Sequence, residues 1–404
     1  MTQHVAVLGA TGSIGDSTLA LLAAHPERFS VYALSGHSRL DKLFALCQQF
    51  QPKCVVVPVQ QVDTFAERIK AANLSIEVLG GEQGLVAVAN DTQVDTVVAA
   101  IVGAAGLAST LAAAQAGKRI LLANKEALVM AGSLMMQAVR DNDAILLPLD
   151  SEHNAIYQCL PAAVQLDNQQ IHQKTHGVQR LWLTASGGPF LHKTYEDMQK
   201  ASLAEAVKHP NWSMGQKISI DSATMMNKGL ELIEACHLFD LPESSIHVVI
   251  HPQSIVHSLV EYCDGSFLAQ MGSPDMKTPI AHALSYPERI NSGVASLSLY
   301  DLADLQFLAP DLTKFSCLKL AREAMKTGVL ATITLNAANE VAVQAFIEAK
   351  VKLTDIALIN ERSLDKIASN SGFGNSSINS LEDIMAMDAI ARQFAANEVL
   401  LCQQ

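Results

Sequence analysis

The chain has 404 residues, which at roughly 150 residues per domain allows two or three domains with a large core. Lys and Arg number 28 against 40 Asp and Glu, a formal charge of −12, so the basic footprint that nucleic-acid binding requires is missing. Hydrophobic residues make up 49% and charged residues 17%, a balance that excludes a disordered chain.

Apolar runs of strand length fall at 5–8, 31–34, 54–57, 76–79, 96–101, 120–123 and 145–149. Between them, segments such as 18–24, 40–50, 106–116 and 127–139 carry apolar residues at three- and four-residue spacing. The alternation predicts an α/β fold with a Rossmann-like parallel sheet covered on both faces. Ligands of such sheets sit outside the carboxyl ends of the strands. The uncharged stretch 96–117 is interrupted by Gly103, Gly106, Ser109, Thr110 and Gln115, and reads as a strand, a turn and a small-residue helix rather than a membrane span.

From about residue 150 the pattern changes. Strand-like runs at 181–184, 217–220, 247–250, 254–261 and 267–271 surround one helix at 225–238, as in a mixed α+β region. A Pro- and Gly-containing stretch at 287–310 reads as a linker. Helices are then expected at 317–327, 335–350, 354–368 and 381–399, the last after a Ser/Asn/Gly cluster at 369–380 and capped by Ser380. The expected domains are 1–150 (dinucleotide-binding), 151–286 (catalytic and dimerisation, with a lid loop at about 208–216), a linker at 287–311 and a helical bundle at 312–404. Seven cysteines without a C-x-x-C pair read as reduced thiols and a cytoplasmic location. The N-terminus enters a strand directly, so no signal peptide is expected.

Gly9-Ala10-Thr11-Gly12-Ser13-Ile14-Gly15 follows a strand and opens a helix, the context in which glycines let the backbone approach a pyrophosphate at a helix N-terminus. The second strand ends in Ser35-Gly36-His37-Ser38-Arg39, without the carboxylate that would bond the ribose of NAD. NADPH is therefore the expected cofactor, with Arg39 either meeting its 2′-phosphate or standing as a solvated charge.

The last strand of the sheet runs into Asp150-Ser151-Glu152. On an extended segment Asp150 and Glu152 would point the same way, toward a metal; capping of the following helix competes equally. Asn227, Lys228 and Glu231 share one helix face, and Glu231 would complete an all-oxygen site suited to Mg2+ or Mn2+. Glu234 reads as a surface or structural acid. Ser186-Gly187-Gly188 after a strand, with Ser222, Asn227 and Lys228 at a helix start, could receive a phosphate. The loop 209–215 carries Trp212 and Met214, which serve either as a lid that excludes water or as an anchor to the core. His251 and His257, six apart with no cysteine partner, read as packing or substrate-bonding groups rather than metal ligands. Lys125, after the strand at 120–123, is either a group that manages charge or a surface lysine.

Together these motifs resemble the 1-deoxy-D-xylulose 5-phosphate reductoisomerase family. The resemblance rests on GATGSIG at 9–15, LLANKEALV at 121–129, LPLDSEHNAI at 147–156, LTASGGPF at 183–190, HPNWSMGQKISIDSATMMNKGLELIEA at 209–235, HPQSIVHS at 251–258, GSPDMKTPIAHAL at 272–284 and LNAANEVAV at 335–343. It implies the same three-part architecture, a homodimer, and conversion of 1-deoxy-D-xylulose 5-phosphate by NADPH into 2-C-methyl-D-erythritol 4-phosphate, in isoprenoid synthesis. It implies that Thr11, Gly12, Ser13, Ile14, Gly36, His37, Ser38, Asn124, Glu126 and Gly215 line NADPH. Asp150, Glu152 and Glu231 would bind Mg2+ or Mn2+, with Co2+ a third candidate. Lys125, Ser151, Glu152, Ser186, His209, Ser222, Asn227, Lys228 and Glu231 would surround the substrate, with Lys125, Glu152 and Glu231 catalytic and Trp212 and Met214 in the lid. Ser38 stands where the family often has Asn. The competing readings are a simple NADP-dependent dehydrogenase of a phosphorylated substrate and an NADP-sensing regulator. No membrane or nucleic-acid partner is expected.

Overall fold

A computed structural model describes residues 2–212, 214–302, 304–369 and 378–403. Most of the 369–380 cluster, Ser213 of the expected lid and Ala303 of the expected linker lie outside the described residues. The chain forms two compact units. One comprises Met1–Ala127, Met135–Asn154 and Asp275–Ala295; the other comprises Leu128–Leu134, Ala155–Pro274 and Ser296–Gln404.

In the first unit the strands are β1 (Gln3–Leu8), β2 (Phe29–Ser35), β3 (Cys54–Val57), β4 (Glu77–Gly80), β5 (Thr96–Ala99), β6 (Arg119–Leu122) and β7 (Ile145–Pro148). They form one parallel sheet in the order β4-β3-β2-β1-β5-β6-β7. Every strand run expected for this region is present, within two residues at either end. The helices are α1 (Ser13–Ala24), α2 (Leu40–Phe50), α3 (Val62–Ala71), α4 (Gly81–Asn90), α5 (Leu107–Gln115), α6 (Lys125–Asp141) and α7 (Ser151–Cys159). The middle of α6 and the end of α7 belong to the second unit. Burial explains the apolar runs: Val5 to Leu8, Val97, Val98, Ile120 and Leu121 are all fully enclosed, as strands covered on both faces must be. Winding reverses between β1 and β5, and that switch point is where a parallel sheet opens its ligand crevice.

The second unit holds the short helices α8 (Ala162–Leu166), α9 (Tyr195–Gln199) and α10 (Leu203–Ala206), then α11 (Gln216–Ala223) and α12 (Met226–Leu238). Its sheet contains β8 (Val178–Ala185), β9 (Ile246–Ile250), β10 (Val256–Tyr262) and β11 (Phe267–Met271) in the order β11-β10-β8-β9. The β8–β9 pair is parallel and the others antiparallel. After α13 (Lys277–Ser285), which returns to the first unit, come α14 (Ser316–Thr327), α15 (Val329–Ile347), α16 (Asp355–Ser369) and α17 (Leu381–Cys402). Ser380 caps α17 through a reciprocal pair with Asp383, as expected.

Two local expectations fail. The run 217–220 is not a strand; it lies in α11. Its alternation of Ile218 and Ile220 imitates a strand, but Ser219 and Asp221 are buried as well, and Lys217 pairs with Asp221 one turn on. The polar positions of the alternation are thus satisfied inside the fold, and only a helix reaches them. Secondly, α15 begins at Val329, six residues before its expected start, because the β-branched stretch from Thr332 to Thr334 is packed all round. Tertiary burial there overrides a weak helix propensity. Among the described residues no helix is long and apolar enough to cross a membrane.

One apolar cluster of the second unit joins Val129, Met226, Leu230, Ile233, Cys317, Ala321 and Leu335. Gly229 lets α12 sit directly on α14: a Cβ there would lie 2.6 Å from that of Ala321. Any larger residue would push α12 away, and with it the polar face that bears Asn227, Lys228 and Glu231.

Candidate active site

The glycine loop occupies the switch point. Gly9 has φ +92°, and a Cβ there would meet the carbonyl oxygen of Ala100, just past β5, at 2.5 Å. A Cβ on Gly15 would strike the Ala10 carbonyl at 2.4 Å. Both positions need glycine for the fold itself. Gly12 differs. It is the N-cap of α1 with φ −84°, no side chain caps it, and its Cβ would only touch the Gly9 oxygen at 3.4 Å. The α1 N-terminus is therefore bare backbone, the arrangement that fits a pyrophosphate. Ser35 braces the loop, accepting from the Gly9 amide at 2.8 Å. Gly36 lies against Thr11, so the end of β2 adjoins the loop, while His37, Ser38 and Arg39 are exposed where a 2′-phosphate would be met. Sequence reasoning passed over Lys42, whose Nζ bonds the Thr11 carbonyl at 3.1 Å and Asp16 at 2.7 Å. A cation one turn into α2 after Arg39 was the available signal.

At the same edge of the sheet, Asn124 caps α6 by accepting from the Ala127 amide and donates to the Gly103 carbonyl at 3.0 Å. Both ends of that side chain are used within the fold. Lys125 is no surface lysine: it is buried, and its Nζ lies 2.7 Å from Asp150 Oδ2. Glu126 is also buried. The expectation that Asp150 and Glu152 share an extended face is corrected, because α7 starts at Ser151 and the Asn154 amide donates to the Asp150 carbonyl at 2.9 Å. Asp150 thus precedes the first helical turn and Glu152 stands within it, where Ser151 Oγ donates to its carboxylate at 2.6 Å. Asn154 Nδ2 reaches His282 Nδ1 at 3.2 Å, and burial pushes His282 down to about 4.

In the second unit, the turn after β8 and the start of α11–α12 come together. Gly187 and Gly188 both have positive φ, and a Cβ on Gly188 would lie 2.6 Å from the Ser222 carbonyl oxygen. Ser186 and Ser222 are thereby held on neighbouring backbones. The amides of Asn211 and Trp212 donate to His209 Nδ1 at 3.2 and 2.9 Å. That assigns the ring proton to Nε2, which donates to Ser186 Oγ at 2.8 Å. Ser186 Oγ also accepts from the Gly188 amide, so its own proton is left to point outward at an acceptor. Two donors into one hydroxyl make it a directed donor, as phosphate capture needs.

On α12, Asn227 and Lys228 both bond Glu231, so the face read from their spacing is real. Lys228 and Glu231 are a buried pair. Of the two readings of Glu234, surface or structural, its burial supports the structural one. The 208–216 loop is tied down by Asn211, which donates to the Pro252 carbonyl at 2.6 Å and to Ser254 at 2.9 Å. Trp212 and Met214 are half-buried, and the Trp212 ring lies 6.2 Å from His257. Gly215 is exposed at the α11 N-cap with open space around it. His251 stacks on Phe307 at 4.8 Å and His257 bonds Gln270 through Nδ1 at 2.8 Å. The first unit thus assembles Thr11 to Ile14, Gly36 to Ser38, Asn124 to Glu126 and Asp150 to Glu152; the second assembles Ser186, His209, Ser222, Asn227, Lys228 and Glu231.

A parallel sheet with a bare helix N-terminus at its switch point, joined in one chain to an α+β unit with converging hydroxyl and lysine donors, defines a dinucleotide-dependent oxidoreductase of a phosphorylated substrate. Three family models match in chain order: 1-deoxy-D-xylulose 5-phosphate reductoisomerase over 5–132, its C-terminal domain over 146–239, and the DXP reductoisomerase C-terminal domain over 271–394. A reductoisomerase of that name from Psychrobacter sp. (strain PRwf-1) is 71% identical over the whole of both chains. One from Acinetobacter baumannii (strain ATCC 17978) is 55% identical over 98% of each. Among solved structures, a DOX-P reductoisomerase in complex with NADPH, fosmidomycin and magnesium is 59% identical, with TM-score 0.95 over 100% of this chain and 99% of that one. The Zymomonas mobilis enzyme in complex with NADPH is 44% identical, with TM-score 0.88 over 99% of each. The chain belongs to the 1-deoxy-D-xylulose 5-phosphate reductoisomerase family.

Proposed function

We propose that this chain rearranges and reduces 1-deoxy-D-xylulose 5-phosphate to 2-C-methyl-D-erythritol 4-phosphate with NADPH and a divalent metal, Mg2+ or Mn2+. The observation that carries the reading is the directed Ser186 hydroxyl, held by His209 and Gly188 beside Ser222. With Asn227 and Lys228 at the start of α12, it forms a seat for a phosphate dianion. The phosphate anchors the substrate away from the reacting carbons, and that binding energy fixes their orientation.

Asp150 and Glu152 of the first unit and Glu231 of the second are the metal-ligand set in this reading, as three hard oxygen donors. Two of these carboxylates already face lysine ammonium groups, Lys125 and Lys228, so a cation at each position would meet a carboxylate that the fold pairs with positive charge. When bound, the metal supplies Lewis-acid polarisation of adjacent substrate oxygens and NADPH supplies the hydride. Lys125, held beside Asp150, is the cation that would balance charge as the carbon skeleton shifts. Glu152, oriented by Ser151, holds or moves a proton at a substrate hydroxyl. Thr11, Gly12, Ser13 and Ile14 cradle the NADPH phosphates, and Gly36, His37 and Ser38 meet the adenosine 2′-phosphate. Asn124, Glu126 and Gly215 complete that lining. Trp212 and Met214, on a loop pinned at Asn211, exclude water from the bound substrate.

A homodimer accords with the exposed edge of the second sheet. Among the described residues strand β11 pairs only with β10, and Phe267 and Leu268 are each about half exposed, a surface that a monomer would have to protect. Seven free cysteines accord with a cytoplasmic location. The test follows NADPH oxidation with 1-deoxy-D-xylulose 5-phosphate, with Mg2+ or Mn2+ and after chelation, and identifies the product by carbon-13 labelling. A branched carbon skeleton formed only with metal is expected. NADPH consumption with an unrearranged chain would instead establish the simple dehydrogenase. Light scattering checks the dimer.

A further inference from the structure

Helix α11 runs from the 208–216 loop to the phosphate seat: Gly215 caps its start and Ser222 stands near its end. Between them lies Asp221, whose carboxylate is 1% exposed. A buried carboxylate is tolerated only when its oxygens are matched. Here one oxygen takes Lys217 Nζ at 2.8 Å and the other takes Asn339 Nδ2 at 2.8 Å. Asn339 comes from the middle of α15, 118 residues away, and is fully buried. Its own oxygen accepts from Asn360 Nδ2 of α16 at 3.3 Å. The C-terminal helices thus reach α11 through a chain of amides directed at one carboxylate.

We propose that Asn339 is a positioning residue for phosphate capture. By holding Asp221 it keeps α11 in the one rotation that sets Ser222 against the Ser186–Gly188 turn and roots the 208–216 loop at Gly215. An apolar side chain at 339 could fill the same space, but it would leave the buried Asp221 oxygen that faces α15 without its donor, and α11 would have to shift to match it again. Ser222 follows Asp221 directly, so a rotation of α11 moves its hydroxyl out of register with Ser186.

This rests on the reading of Ser186 and Ser222 as phosphate donors, and that reading is checked separately. Ser186→Ala and Ser222→Ala must each raise KM for 1-deoxy-D-xylulose 5-phosphate; if neither does, the seat itself is wrong, whatever Asn339 does. In the enzyme with Mg2+, Asn339→Leu and Asn339→Asp are expected to raise that KM about tenfold or more through loss or reversal of a charge-assisted bond. The kcat at saturation and NADPH affinity should stay within about threefold. The double variant Asp221→Asn/Asn339→Asp restores a donor facing an acceptor and should return KM to within about threefold of wild type. Asn339→Ser, which empties the position without adding charge, takes the place of any single variant that does not fold. A fall in melting temperature with KM unchanged, or a double variant no better than Asn339→Asp, would reduce Asn339 to core packing and overturn the proposal.

Discussion

The glycine loop separates residues that serve the fold from a residue that serves the ligand, and substitution distinguishes them. Gly9→Ala forces a side chain into φ +92° and against the Ala100 carbonyl at 2.5 Å. The left-handed backbone costs about 1–2 kcal/mol and the overpacking about 1–3 kcal/mol. The sum, about 2–5 kcal/mol, would lower the melting temperature by roughly 5–15 °C in a unit of this size. Gly12→Ala meets neither penalty, since φ is −84° and the nearest contact is 3.4 Å. Exchanging Gly for Ala at an N-cap costs about 0.5–1 kcal/mol, a small shift. A methyl group between that backbone and a pyrophosphate, however, costs about 1–3 kcal/mol of binding, or about 5–150-fold in NADPH Kd. The assay pairs a thermal melt without cofactor with a fluorescence titration of NADPH. Wild-type NADPH affinity in Gly12→Ala would refute the placement of the phosphates at the α1 N-terminus. Full thermal stability in Gly9→Ala would refute the packing argument.

Glu231→Gln should retain NADPH binding and lose nearly all turnover, because the neutral amide neither ligates a metal well nor balances Lys228; full activity with metal present would remove Glu231 from the ligand set. Trp212→Ala should raise substrate KM with little change in melting temperature, since the ring is only half-buried; unchanged kinetics with a large stability loss would make it a core anchor. Burial pushes His282 and His237 down to about 4 from 6.5. Each is neutral when folded and takes up a proton on unfolding below 6.5, so its share of stability is present above that pH. As pH falls from about 6.5 toward 4 that share is lost, up to about 3 kcal/mol per histidine. The urea-midpoint gap between wild type and His282→Asn should therefore shrink over that range, and a gap that stays constant would contradict the assignment.

How much of the site could be read beforehand depends on where the information resides. The Asn227, Lys228 and Glu231 face was legible because three- and four-residue spacing is a local property of a helix. Ser186, Gly187 and Gly188 were legible as a turn after a strand. The Asp150 and Glu152 geometry was not, because the packing of the segment beyond β7 decides whether residue 151 continues a strand or starts a helix. Lys125 could not be told from a surface lysine, since its partner stands just past the next strand. Glu234 was left between a surface and a structural acid for the same reason: spacing says which face a residue occupies, and not whether that face is covered.

The order of amino acids by itself determined the parallel sheet, the glycine loop at its edge and the chemistry of the acids and hydroxyls, because runs, periods and glycine placement act over a few residues. Only the tertiary structure decided that 217–220 is helical, that His209 turns Ser186 into a donor, and that Asn339 reaches Asp221. Each of those depends on a polar group finding its partner far along the chain. A buried hydrogen bond is strong enough to choose between a strand and a helix and leaves no period behind in the sequence.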